Sequence, residues 1–152
     1  MKSFYSFVLI FGILLSNALA LTPEEKHEAE KKILDECKGS VGATNNDVNS
    51  ILERKTPTEY KGKCLLKCAH EKIGLIQDGK FSIDSFKAFG EKELGNDMKA
   101  VGVFNEMLDA CKSITDPDLC EASAKMMDCM IKEGLKRGVD PKKGIKESIA
   151  SN

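Results

Sequence analysis

Six cysteines constrain the folding of this 152-residue chain more than any other feature; they stand at positions 37, 64, 68, 111, 120 and 129. An even number of cysteines in an exported chain indicates disulfide bonds, here three. Cys64 and Cys68 lie four residues apart, so on a helix both project from one face, each better aimed at a neighbouring helix than at the other. Cys120 and Cys129 would face opposite sides of one helix and cannot pair with each other. The remaining pairings stay open on geometry alone.

Export is indicated by the first twenty residues. Lys2 gives a positive start, residues 7–15 are apolar apart from one glycine, and Ala18 and Ala20 are the small residues expected before a cleavage point. A membrane-spanning helix needs roughly 20 apolar residues, so this run is too short to be one. We interpret residues 1–20 as a signal peptide and expect a secreted mature chain without stable membrane insertion.

Charge excludes some partners. The chain has 23 basic and 24 acidic residues, which gives a formal net charge of -1. This balance provides no electrostatic surface for nucleic acid. The 41% content of hydrophobic residues is typical of a globular chain, and the length allows one domain.

Helical patterns dominate residues 21–135, and we predict an all-α bundle of six helices. The first helix begins with a Thr22 cap, Pro23 and Glu25 and runs to about Lys38, and the second follows Asn45 and Asn46. The third begins after a Thr58 cap and the fourth after a Ser82 cap. The fifth runs along Met98 to Cys111, and the sixth runs from about Pro117 to Leu135. The sixth is apolar over most of its circumference, so we expect it at the centre. No alternating pattern is present, so we predict essentially no strand. Residues 136–152 form a polar tail that we expect to be loosely attached.

Few side chains are candidates for metal binding or catalysis. Cys64 and Cys68 are separated by three residues rather than two, and only His27 and His70 could add imidazole ligands. Neither histidine has a recognisable nucleophile partner, and the chain contains no G-x-S-x-G or H-E-x-x-H motif. We predict no metal site, no cofactor and no enzymatic activity, and we expect both histidines at the solvated surface.

The spacing of the cysteines, C-x26-C-x3-C-x42-C-x8-C-x8-C, resembles that of the six-cysteine insect odorant-binding and pheromone-binding proteins. The resemblance implies a six-helix fold around an apolar cavity and three interlaced bridges: Cys37 with Cys68, Cys64 with Cys120, and Cys111 with Cys129. It also implies a carrier that binds small hydrophobic molecules and delivers odorants to receptors or carries other lipophilic ligands. It leaves open the ligand, the tissue and the oligomeric state.

The predicted ligand-binding residues are apolar side chains from the third to sixth helices and the turns between them. They are Leu75, Phe81, Phe86, Met98, Val101, Phe104, Leu108, Met126, Met127 and Met130. Each could equally be ordinary core. Tyr60 is interpreted as a half-buried structural tyrosine, and Thr115, Ser123 and Asn105 are weaker candidates for polar recognition of a ligand.

One alternative function belongs to a different class of protein. A secreted, disulfide-rich signalling or inhibitory protein would act through an exposed apolar surface rather than a cavity. Beyond the signal segment, Tyr60 is the single tyrosine and no tryptophan is present, which makes such a surface the weaker hypothesis.

Overall fold

Seven helices and one small hairpin make up the fold in the computed structural model, which describes residues 21–151. The helices are α1 (Pro23–Val41), α2 (Asn45–Leu52), α3 (Tyr60–Lys72), α4 (Ile83–Leu94), α5 (Met98–Cys111), α6 (Leu119–Lys136) and α7 (Gly144–Ala150), and the strands are β1 (Ile76–Gln77) and β2 (Lys80–Phe81). The six predicted helices are confirmed, and α7 is an addition to them. The predicted signal segment, residues 1–20, lies outside the described residues.

The predicted helix starts depend on capping side chains, and the caps at Thr22 and Ser82 are confirmed. The start of α2 is corrected: the helix begins at Asn45 with Thr44 as its cap, rather than after Asn45 and Asn46. Thr22 accepts a hydrogen bond from the Glu25 amide, while the Glu25 carboxylate accepts one from the Thr22 amide at 2.7 Å. This reciprocal pair satisfies two amides that have no partner within the helix. Ser82 caps α4 in the same way, through the Ser85 amide. Helix α1 continues three residues beyond the predicted Lys38, because the left-handed residue that ends it is Gly42, with φ 66°.

The predicted start of the third helix is wrong. Its N-cap is Glu59, whose side chain makes no capping hydrogen bond, and Thr58 is exposed one residue earlier. Helix α6 likewise begins two residues after Pro117, capped by Asp118, which accepts hydrogen bonds from the Cys120 and Glu121 amides. Asp118 supplies what Pro117 lacks, a side-chain oxygen that can reach the first free amides.

The prediction of no strand is corrected by a short hairpin. Ile76 pairs with Phe81 and Gln77 with Lys80, and the two loop residues, Asp78 and Gly79, have φ angles of 49° and 71°. Two consecutive residues with positive φ form the tight turn whose twist suits a two-residue hairpin, and Asp-Gly is a favoured sequence for it. Strands of two residues are too short to produce an alternating pattern, so the turn dipeptide was the available signal.

Three disulfide bonds connect the helices in the pairing that the resemblance implied. Cys37–Cys68 joins α1 to α3, Cys64–Cys120 joins α3 to α6, and Cys111–Cys129 joins α5 to α6. Helix α6 makes extensive contact with α3 and also contacts α5, as expected for a central helix.

Helices α3 and α6 run parallel, because their cross-links advance together along both. Tyr60 donates a hydrogen bond to Asp118, Lys63 binds Glu121 at 3.0 Å, and Cys64 bonds Cys120. The sequence separations are 58, 58 and 56 residues, respectively. Continued toward the end of α3, these separations place His70 level with residues 126–128.

Two clusters of buried side chains form the core. The first, which we call the α1–α3 cluster, consists of Leu34, Cys37, Val48, Ile51, Leu65, Leu66 and Ala69. The second, which we call the aromatic cluster, consists of Leu75, Phe86, Leu108, Cys111 and Met126, with the partly buried Ile73, Phe81, Ile83, Phe89, Phe104, Ile114, Cys129 and Met130 packed against them. The hairpin and the helices α4 to α6 therefore share one apolar interior.

The tail does not fit the expectation of loose attachment. Val139 is 5% exposed and lies over Gly134 of α6, and α7 contacts α5. The hydroxyl of Ser148, also buried, accepts a hydrogen bond from the Asp140 amide at 2.9 Å and donates one to the Gly144 carbonyl at 2.6 Å. Val139 and Ser148 are isolated buried positions among lysines, which a reading of local composition does not separate from an exposed tail.

Candidate ligand-binding site

Seven of the ten predicted ligand-binding residues belong to the aromatic cluster. They are Leu75, Phe81, Phe86, Phe104, Leu108, Met126 and Met130. Phe81, Phe104 and Met130 remain partly exposed. The cluster is therefore a set of apolar side chains from four elements, some of which solvent or a small molecule can reach.

The other three predicted residues lie elsewhere. Met127 packs against the α1–α3 cluster, although it follows Met126 directly in the sequence. Val101 is buried but is a member of neither cluster. Met98 is corrected from an inner to an outer position: it is 78% exposed, because it is the first residue of α5 and lies at the edge of the packed helices.

Close packing of α4 against α5 fixes one side of the cluster. The ring of Phe104 lies so near Gly90 that a Cβ atom at position 90 would overlap it. The Phe81 and Phe86 rings stand 5.7 Å apart between centroids, tilted by 50°. Ser82 makes this arrangement possible, since its cap turns the chain from β2 into α4 between the two aromatic residues.

His70 is the polar side chain that sequence reasoning placed wrongly. Its ring meets Phe81 at 5.7 Å and Phe86 at 6.2 Å, both edge to face. Burial lowers the pKa of His70 from 6.5 to about 4, so the ring is neutral at pH 7. Glu71 and Lys72 follow His70 in the sequence and suggested the surface, but helical spacing groups it with Leu66 and Ile73 on the inner side. That spacing was the signal that could have found it.

Among residues 21–151, three buried side-chain polar atoms, one each on α3, α5 and α6, have no hydrogen-bond partner. They are Nδ1 of His70, Oδ1 of Asn105 and the hydroxyl of Ser123. Asn105 and Ser123 were the weaker sequence candidates for polar recognition. Groups of this kind carry a free-energy cost unless something binds to them, so they are candidate contacts for a ligand.

The prediction of a half-buried Tyr60 is wrong, because this side chain lies at the surface. It is 55% exposed, and its hydroxyl donates a hydrogen bond to Asp118 at 2.8 Å. The same bond raises the pKa of Tyr60. Its role is to connect α3 to α6 at the surface, at a distance along α3 from the aromatic cluster. His27 is exposed, as expected.

Two open concavities lie on the surface, of about 590 and 680 Å³. None of the ten predicted residues lines either of them. The first is bounded by α6, including Cys129, and by the segment before it, including Ile114; these two residues also pack against the aromatic cluster. The second lies along α1, between charged side chains.

Two further properties concern residues 21–151. No helix in this range combines the length and the apolar composition that a membrane span requires. The same range contains no group of three His, Cys, Asp or Glu side chains placed to hold a metal ion.

A bundle of helices joined by three interlaced disulfides, with an apolar interior that is partly open, is the architecture of an insect odorant-binding protein. The chain belongs to the PBP/GOBP family, whose model matches residues 20–133. It is 31% identical over 137 residues to general odorant-binding protein 28a of Drosophila melanogaster, an alignment that covers 87% of this chain and 95% of that protein.

Two solved structures show the same fold. The odorant-binding protein 28a structure from Drosophila melanogaster matches with a TM-score of 0.67 and 28% identity, over 77% of this chain and 99% of that one. A pheromone-binding protein of the cockroach Leucophaea maderae, in complex with the fluorescent reporter ANS, matches with a TM-score of 0.63 and 28% identity, over 73% of this chain and 97% of that one. The family consists of carriers rather than enzymes, and nothing in these comparisons favours the alternative of a signalling or inhibitory protein.

Proposed function

We propose that this protein is a secreted carrier that binds small hydrophobic molecules in its aromatic cluster. Family membership supports the carrier function. The observation that carries the location is the convergence of the hairpin, α4, α5 and α6 on one apolar interior in which Phe81, Phe104 and Met130 remain partly exposed. The flexible thioether of Met130 can adapt to guests of different shape.

The expected affinity follows from the buried area. A ligand that buries about 500 Å² of apolar surface gains about 12 kcal/mol, and an association cost of about 4 to 5 kcal/mol leaves a net binding free energy of about 7 to 8 kcal/mol. Micromolar dissociation constants result. The three disulfides help, because helices that are covalently connected tolerate an incompletely filled interior better than helices held by packing alone.

Titration of the purified, disulfide-intact protein with ANS tests this function. The cockroach relative binds this probe. We expect a saturable rise in fluorescence with a Kd of about 1 to 10 μM. Met130→Gln places a polar amide in the cluster and should weaken binding about fivefold.

Met98→Gln is the matched control, since Met98 is the exposed methionine of α5. It should leave the ANS affinity unchanged. Lack of saturable binding by the unmodified protein would contradict the carrier function, and equal effects of the two substitutions would contradict the location of the site.

Secretion is the second part of the proposal. Residues 1–20 have the pattern of a signal peptide. Protein recovered from extracellular fluid should begin near Leu21 by N-terminal sequencing and should have a mass that corresponds to three disulfides. Delivery of a ligand to an olfactory receptor stays a prediction.

A further inference from the structure

One buried ring nitrogen of His70 has no hydrogen-bond partner among residues 21–151, and the ring packs against two phenylalanines of the aromatic cluster. Nδ1 is the unpartnered atom, and Phe81 and Phe86 contact the ring edge to face. An acceptor or donor buried among aromatic rings is costly unless it is satisfied, and its interactions are strengthened by the low local dielectric.

The charged side chains next to His70 are already paired with other groups. Lys67 binds Glu71 at 2.7 Å, and Lys72 binds Glu36 at 2.9 Å. The ring therefore has no ionic partner on its own helix. Burial keeps it neutral at pH 7, so that one nitrogen carries the proton and the other presents a lone pair.

The two nitrogens of the ring differ in their surroundings. Of the two, Nδ1 alone is both buried and unpartnered. The proton is better placed on Nε2, which leaves the buried Nδ1 as an acceptor with a free lone pair. An atom with a free lone pair at that place accepts a hydrogen bond from an O–H or N–H donor.

The position of His70 along the bundle places this acceptor beside the residues proposed to hold the ligand. The parallel register of α3 and α6, with separations of 56 to 58 residues, places it level with residues 126–128, the stretch that begins with Met126. Met126 belongs to the aromatic cluster, as do the two phenylalanines that contact the ring. A guest held among these side chains would lie within reach of Nδ1.

We propose that Nδ1 of His70 accepts a hydrogen bond from the hydroxyl group of the ligand, so that the preferred ligands are hydrophobic alcohols. This inference rests on the proposed carrier function. A hydrocarbon or an ether has no proton to donate and leaves Nδ1 unsatisfied. A carboxylate has no proton either and would lose its hydration among apolar side chains, with a neutral ring opposite it.

Displacement of ANS by two isomers tests this preference. 1-Octanol and 1-methoxyheptane have the same atoms and nearly the same apolar surface, but 1-octanol can donate a hydrogen bond and the ether cannot. We expect 1-octanol to bind about tenfold more tightly, which corresponds to one satisfied hydrogen bond between uncharged groups. Octanoate at pH 7 should bind more weakly than 1-octanol.

His70→Phe keeps an aromatic ring and removes the acceptor. It should reduce the ratio of the two affinities to about one, when both are measured by displacement of ANS from the variant and corrected for the variant's own ANS affinity. His27→Phe, which changes the exposed histidine of α1, is the matched control and should keep the full ratio. Equal affinities of the two isomers for the unmodified protein, tighter binding of octanoate, or a ratio that survives His70→Phe would overturn the proposal.

A measurement on the unmodified protein covers the case in which His70→Phe does not fold. The ¹⁵N chemical shift of His70 Nδ1 should move on addition of 1-octanol and stay in place on addition of 1-methoxyheptane. The same movement with both would overturn the proposal. ANS binding without discrimination between the isomers would contradict the hydroxyl contact alone, whereas absence of ANS binding would contradict the carrier function itself.

Discussion

At Gly90 the absence of a side chain sets how closely α4 meets α5. Glycine inside a helix usually costs stability relative to alanine, by about 0.5 to 1 kcal/mol. Here a larger effect opposes this preference, because a Cβ would overlap the Phe104 ring. Phe104 is part of the aromatic cluster, so it cannot move away without disturbing its neighbours.

Gly90→Ala should therefore destabilise the protein by about 1 to 3 kcal/mol in urea denaturation. Gly102→Ala is the control, since a Cβ at Gly102 of α5 would have no atom within 4 Å. That substitution should stabilise the fold by about 0.5 to 1 kcal/mol, through helix propensity alone. Stabilisation by both substitutions would show that α4 and α5 separate easily.

His70 makes stability depend on pH. The folded protein binds the proton with a pKa of about 4, whereas an unfolded histidine binds it near 6.5. The unfolded state therefore takes up protons first as the pH falls, so the contribution of the neutral ring is complete above pH 6.5 and is lost progressively down to pH 4.

We expect a loss of about 2 kcal/mol between pH 7 and pH 4.5 that His70→Phe abolishes, as measured by urea denaturation at a series of pH values. Carboxyl groups whose pKa is lowered in the fold, such as those of Asp35 and Glu36, also lose their stabilising contribution in acid. They do so in both proteins, so the difference between the two stability curves reports the histidine alone. Identical pH dependence of the two proteins would mean that the ring is hydrated in the folded state.

At the scale of elements, the sequence predicts the approximate position of each helix start better than it predicts which residue caps the helix. A start depends on one side chain and a few neighbouring amides, so Thr22 with Glu25 and Ser82 could be recognised from sequence. Thr58 had the right chemistry, but the chain enters α3 one residue later, at Glu59. The hairpin was missed because pairing across a turn leaves no periodic pattern when each strand has two residues.

The comparison of two threonines tests these caps. Thr44 accepts a hydrogen bond from the Asp47 amide and forms a capping box at the start of α2. Thr44→Ala should cost about 1 kcal/mol of stability. Thr58→Ala should change stability by less than about 0.5 kcal/mol, as for an exposed residue without such a role. Thermal denaturation followed by circular dichroism measures both, and equal losses would move the cap of α3 back to Thr58.

In the whole molecule, the disulfides could be anticipated but the membership of the two clusters could not. The pairing followed from the spacing of the cysteines, which resembles that of a known family. Met126 and Met127 are adjacent and chemically identical, yet one joins the aromatic cluster and the other packs against the α1–α3 cluster. The packing of the helices decides which neighbour each side of α6 contacts. Because this packing is not visible in the sequence, both methionines were predicted to have the same role.

The bridges should differ in their contribution to stability. Cys64–Cys120 spans 56 residues and Cys111–Cys129 spans 18. Replacement of both cysteines by alanine should cost about 4 kcal/mol for the long bridge and about 3 kcal/mol for the short one, if the effect is on the entropy of the unfolded chain. Urea denaturation of the two double variants measures this, and a larger loss from the short bridge would point to a role in the folded state instead.

The disulfides leave one large helix unfastened. Through the three bridges α1, α3, α6 and α5 form a single covalent frame, whereas α4 carries no cysteine and contributes Phe86 and Phe89 to the interior. Because no disulfide holds α4, local unfolding of this helix would leave the four bridged helices connected to one another. A ligand that exchanges through such an opening would therefore do so without reduction of any disulfide.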